Sequence, residues 1–183
     1  MHRAITSLIL PGLGNSEPDH WQSHFERADP GCIRVMQDEW ETPDCADWVA
    51  RLDETIRNSV WPVRLVGHSS SCALVAHWAL AAAPDSLTKV CGALLVAPSD
   101  PDGPAYPREP RGFSPMPMVV LPFASIVVAS SDDPYVTLDR AREYAAAWGG
   151  HLVVLDGAGH INTESGFGEW PEGQAMLRSL TAD

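Results

Sequence analysis

The sequence predicts an α/β fold built on a parallel sheet of about six strands in the order 2-1-3-4-5-6, with helices on both faces. Three observations carry that expectation. Strand-like runs rich in β-branched and aliphatic residues, at 5–10, 32–36, 63–66, 90–97, 124–129 and 151–155, alternate with helix-period segments at 17–28, 45–58, 70–82, 137–148 and 168–181. Such alternation produces a parallel sheet covered on both sides. The length of 183 residues with 45% hydrophobic content suits one globular domain, 1–183, with a substantial core. Neither an internal repeat nor a low-complexity segment points to another architecture.

The first strand, Ile5-Thr6-Ser7-Leu8-Ile9-Leu10, runs into the glycine-containing loop Pro11-Gly12-Leu13-Gly14-Asn15-Ser16. Backbone N–H groups approach a ligand closely only where side chains are absent, so this loop suits an anion-stabilising donor. Leu13 N–H is the expected donor, with Gly14 N–H as the alternative. A phosphate loop is disfavoured, because neither GxGxxG nor GxxxxGK[ST] occurs here.

The third strand carries the most informative segment, Val63-Arg64-Leu65-Val66-Gly67-His68-Ser69-Ser70-Ser71. A strand pattern passes directly into a small-residue helix start, with Ser69 at the corner. A tight turn of this kind projects the serine away from the sheet and leaves the Ser70 N–H at a helix N-terminus, facing whatever reacts with the hydroxyl. Gly67 supplies the small neighbour that the turn needs, and Ser71 stands where the common GxSxG pattern has its second glycine. The bland alternative is a serine that merely caps the next helix. That helix, Cys72 to Leu80, is apolar almost all round and stops before Pro84, as a buried central helix does.

A serine nucleophile needs a base and an orienting acid, each expected just past a later strand. Ala124 to Ala129 leads into Ser130-Ser131-Asp132-Asp133-Pro134-Tyr135, and His151 to Leu155 leads into Asp156-Gly157-Ala158-Gly159-His160. Two glycines before His160 provide a close-packed loop able to bring an imidazole over the corner. Asp133 is the preferred acid, since Pro134 restricts the turn that aims its carboxylate. Asp132 suits a structural role, and Asp156 is a weaker candidate on the histidine's own loop.

In the predicted strand order the chain reverses direction between strands 1 and 3, which opens a crevice at their carboxyl ends. Leu13, Ser69, Ser70, Asp133 and His160 all fall at that edge. Residues 98–123 form the exception to regular structure, with eight prolines among Tyr106, Phe113, Met116 and Met118. They either wall a substrate pocket or form a plain ordered loop.

The net charge of −12 argues against nucleic acid or an anionic membrane as partner. Cys32, Cys45, Cys72 and Cys91 lack CxxC spacing and read as small hydrophobes in a reducing compartment, not as bridges or zinc ligands. A short apolar amino-terminal stretch, broken by Pro11-Gly12, resembles neither a signal peptide nor a membrane span, so a cytoplasmic location is expected.

Four motifs in this order, Pro11 to Ser16 with His20-Trp21, Gly67-His68-Ser69-Ser70, Ser131 to Tyr135, and Ala158-Gly159-His160-Ile161-Asn162, resemble the α/β-hydrolase superfamily along essentially the whole chain. More narrowly, they are similar to the small, lidless serine hydrolases of the retinoblastoma-binding-protein-9-like group. The resemblance implies Ser69 as nucleophile, Asp133 as acid and His160 as base, with no metal or organic cofactor and no large cap domain. It places His20 and Trp21 beside the oxyanion loop, lining the pocket or packing. The expected activity is hydrolysis of small acyl esters. The alternatives are a peptidase or amidase with the same residues, and a non-catalytic protein-binding member of the fold.

Overall fold

The computed structural model describes residues 5–181. Six parallel strands form one sheet, β1 (Thr6–Leu10), β2 (Cys32–Arg34), β3 (Val63–His68), β4 (Val90–Val96), β5 (Ser125–Ser130) and β6 (His151–Leu155), in the order β2-β1-β3-β4-β5-β6. This is the predicted order. Helices α1 (Trp21–Ala28) and α6 (Pro171–Ser179) supply the core on one face, where Trp21, Phe25 and Leu177 meet Ile9, Val66, Leu94 and Val128. On the other face α2 (Cys45–Asn58), α3 (Ser70–Ala81) and α5 (Leu138–Trp148) pack Trp48, Leu52, Trp78, Tyr144 and Trp148 against Leu8, Leu65, Ala93 and Val127. The two faces follow from strand alternation, since neighbouring residues such as Leu65 and Val66 point to opposite cores.

Central strands β3 and β4 are buried along nearly their whole length, as a covered parallel sheet requires. Helix α3 is buried on almost every side, and each large apolar side chain such as Leu74 or Val75 adds about 1.5–3 kcal/mol by leaving water. The first residue of this helix is thereby held rigidly behind Ser69.

Several boundaries differ from expectation for local reasons. Helix α1 starts at Trp21 instead of 17, because His20 caps it by accepting from Gln22 N–H through Nδ1. Helix α6 starts at Pro171, the first-turn position that proline favours, after Trp170 turns the chain through a left-handed conformation. Pro84 ends one helix and also begins another, the single turn α4 (Pro84–Leu87). The edge strand β2 stops at Arg34, whose guanidinium turns to Glu26, Asn15 and Ser16.

Residues 98–123 contain no helix and no strand of the sheet. The stretch divides in two. Phe113, Met116 and Leu121 are core residues, with the Phe113 ring against Trp48, whereas Ser99 and Pro107 face the crevice above the sheet.

Candidate active site

Ser69 sits at the corner between β3 and α3 with φ 58° and ψ −125°, a conformation that L-residues rarely adopt. Strain of this kind costs about 1–3 kcal/mol and persists only where the surroundings enforce it. Three features do so. Ser69 N–H donates to Val96 O at 3.0 Å, which ties the corner to β4. Gly67 leaves room for the turn, since a Cβ there would lie 3.1 Å from Ser71 O. Ser71, fully buried, donates through Oγ to Pro11 O and so fastens the corner to the loop after β1. The serine in the second glycine's place therefore acts as a tether.

The loop after β1 lies directly against the corner. A Cβ on Gly12 would stand 2.8 Å from Ser69 Cβ and 3.0 Å from His68 O, so only glycine fits. Buried Gln22 clamps the carboxyl ends of the two strands together, its amide donating to Leu10 O at 3.1 Å and to Val66 O at 3.0 Å. Gly14 N–H is engaged with Trp40 O at 2.9 Å, whereas Leu13 N–H has no acceptor among the described residues. Ser70 N–H is one of the unpaired donors at the start of α3. Leu13 and Ser70 both line the cleft that holds Ser69.

His160 reaches Ser69 from the loop after β6. Gly157 and Gly159 take φ values of 61° and 54°, which brings the chain back over the sheet edge. Its Nε2 lies 3.0 Å from Ser69 Oγ, and its Nδ1 lies 3.0 and 2.9 Å from the two carboxylate oxygens of Asp133. A carboxylate only accepts, so Nδ1 carries the imidazole proton and Nε2 is left as an acceptor facing the serine hydroxyl. Asp133 Oδ1 also accepts from Tyr135 N–H at 2.9 Å, which holds the carboxylate in place, and its side chain is fully buried. Ser69, His160 and Asp133 are thus brought into one continuous hydrogen-bonded chain.

The other two acids do different work. Asp132 accepts from Ser130 Oγ and Gly159 N–H, and these bonds hold its carboxyl below the usual range. It braces the histidine loop without meeting the imidazole. Asp156 accepts from Ser131 Oγ, joining the loops after β5 and β6.

Two further histidines stand beside His160. The His68 ring packs between those of His20 and His160, with centroids 4.7 and 4.9 Å away, and its Nε2–H donates to His160 O at 3.0 Å. Burial, reinforced by the neighbouring imidazoles, keeps His68 neutral far below the usual histidine range. Burial likewise pushes His20 down to about 4. Trp21 donates through Nε1 to Ile161 O at 2.9 Å, so His20 lines the cleft while the buried Trp21 anchors the histidine loop.

The cleft has a volume of about 200 Å³ and is bounded by Leu13, Asn15, His20, Ser99, Pro107 and Tyr135, among others. Tyr135 packs edge-on to the His160 ring at 4.6 Å. Sequence reasoning missed Ser99, whose hydroxyl lies 2.9 Å from Ser69 Oγ, and Tyr106, whose phenol donates to Ser70 Oγ at 3.0 Å. Among the described residues no group of three or more His, Cys, Asp or Glu side chains gathers with metal-binding geometry, and no helix is long and apolar enough to cross a membrane. All four cysteines are free thiols.

The six-stranded sheet, its strand order and the serine at the strand-to-helix corner define an α/β-hydrolase fold. The serine hydrolase family model matches residues 7–179, and the chain belongs to that family. A protein from Pectobacterium atrosepticum described as a YdeN-like hydrolase is 32% identical, with a TM-score of 0.83 over 96% of this chain and 90% of its own. Two more distant structures share the fold. The ydeN gene product of B. subtilis is 18% identical, with a TM-score of 0.70 over 96% of this chain and 97% of its own. Thermogutta terrifontis esterase 2 is 17% identical, with a TM-score of 0.63 over 97% of this chain and 81% of its own. No curated protein matches the sequence.

Proposed function

We propose that the protein hydrolyses short-chain carboxylic esters through an acyl-enzyme on Ser69. His160 Nε2 takes the Ser69 proton as Oγ attacks the ester carbonyl, and Asp133 keeps the imidazole in the required tautomer and stabilises the imidazolium. Backbone N–H groups of Ser70 and Leu13 receive the oxyanion, each such donor contributing about 10²–10³ in rate. The imidazolium then protonates the departing alcohol. Water attacks the acyl group with His160 as base, and Ser69 leaves with the returned proton.

The observation that carries this reading is the continuous chain from Asp133 through His160 to Ser69, at 2.9 and 3.0 Å. A cleft of about 200 Å³ is smaller than the roughly 300–1,000 Å³ of drug-sized ligand sites, which favours a short acyl group. The free thiols favour a reducing cytoplasmic setting. Turnover of p-nitrophenyl acetate by the wild type and its loss in Ser69→Ala test the proposal. Aminoacyl amides assayed in parallel separate esterase from amidase activity. Wild-type protein without turnover of either class overturns it.

A further inference from the structure

We propose that Ser99 is a catalytic residue, one whose hydroxyl donates a hydrogen bond to Ser69 Oγ whenever that oxygen carries negative charge. The inference rests on the acyl-enzyme reading above and adds a role for a residue outside the Ser69, His160 and Asp133 chain. Ser99 follows β4 and is 3% exposed. Its Oγ lies 2.9 Å from Ser69 Oγ, and its side chain makes no other hydrogen bond among the described residues.

The proton inventory sets the direction of that bond. Asp133 accepts from His160 Nδ1–H, so Nε2 is an acceptor and must receive the single Ser69 proton. Ser69 Oγ then has only lone pairs to offer Ser99, and Ser99 is the donor. It occupies one lone pair of Oγ and leaves the other free to attack.

This donor acts unequally on the two halves of the reaction. Oγ gains similar charge as it attacks, but the resting enzyme already holds this hydrogen bond, so acylation benefits only from its strengthening. In the acyl-enzyme Oγ is an ester oxygen and a poor acceptor, and the bond weakens. During deacylation water has added to the acyl carbon and given its proton to His160 Nε2. The bond from carbon to Oγ then breaks, its electron pair passes to Oγ, and His160 returns the proton. Negative charge builds on Oγ at this step, where the Ser99 hydrogen bond becomes charge-assisted and about twice as strong as a neutral one. Ser99 itself transfers no proton.

The test is steady-state hydrolysis of p-nitrophenyl acetate by the wild type, Ser99→Ala and Ser99→Thr, with acid-quenched mass spectrometry to count acylated enzyme. Ser99→Ala is expected to lower kcat by about 10–100-fold but kcat/KM by only about 3–5-fold, so that KM falls with kcat. Acyl-enzyme accumulates in that variant, and Ser99→Thr restores the wild-type pattern. A purely structural role would instead lower kcat/KM as far as kcat and reduce the fraction of enzyme that reacts with a fluorophosphonate. An active wild type with unchanged kcat in Ser99→Ala, or with kcat and kcat/KM falling together, overturns the role of Ser99 alone. A wild type that neither turns over nor labels overturns the underlying acyl-enzyme reading as well.

Discussion

Gly12→Ala is a test of whether the loop after β1 belongs to the reacting site. The added Cβ would stand 2.8 Å from Ser69 Cβ and 3.0 Å from the backbone oxygen of His68. Ordinary contact begins near 3.4 Å, so loop and corner must separate by about 0.6 Å. Neither side yields easily. Ser69 is pinned through its N–H to Val96 O, and Pro11 is tethered to Ser71 Oγ. Overpacking of this kind costs about 1–3 kcal/mol of stability. The larger effect falls on rate, because withdrawing the loop carries Leu13 N–H away from the oxyanion, and loss of one such donor costs about 10²–10³-fold. The assay is kcat/KM for p-nitrophenyl acetate beside urea unfolding. Gly166→Ala is the control, since its positive φ, 84°, strains an alanine there while nothing lies within 4 Å of the added Cβ. That variant is expected to lose about 1–2 kcal/mol of stability while keeping its activity. Wild-type kcat/KM in Gly12→Ala would refute the placement of the oxyanion loop.

Asp133→Asn preserves shape but removes the acceptor that holds the proton on His160 Nδ1, and kcat is expected to fall about 10⁴-fold with little change in KM. A variant within tenfold of the wild type would show that another group orients the imidazole. Stability is expected to fall as the medium is acidified from about pH 6.5 to pH 4. His20 titrates near 4 in the folded state against 6.5 when unfolded, so the unfolded chain binds the extra proton across that window. The depression corresponds to about 3 kcal/mol, lost as pH falls, and His68 acts in the same direction. Urea midpoints measured from pH 7 to 4, with His20→Gln showing a shallower decline, check this. Equal slopes for the two proteins would contradict it.

The strand order was legible because six aliphatic runs alternate with helix-period segments, and the right-handed crossover rule leaves few ways to arrange them. Ser69, His160 and Asp133 were legible for a related reason. In a parallel sheet every loop after a strand opens on the same edge, so residues placed just beyond strands 3, 5 and 6 converge there. The choice of Asp133 over Asp132 was harder, since both follow the same strand. Pro134 favours Asp133, whose carboxylate meets the imidazole, while that of Asp132 braces Gly159.

What escaped the sequence lay where pattern is weak. Ser99 sits after a proline in a stretch with no periodicity, and nothing in its spacing marks a hydroxyl that will face Ser69. The same stretch hides Phe113 and Leu121, core residues supplied by a segment with neither helix nor strand period. Gln22 reads as a polar position in an amphipathic helix, yet it is fully buried because two strand-end carbonyls need a donor. Leu13 and Gly14 are distinguishable only through Trp40, whose carbonyl occupies one of the two N–H groups.

Reaction of the wild type with a fluorophosphonate, followed by peptide mapping, bears most directly on whether the strained hydroxyl between β3 and α3 is an activated nucleophile. One adduct on the peptide containing Ser69, slowed sharply in His160→Ala, is the expected result. Modification at another residue, or none in folded protein, would contradict it.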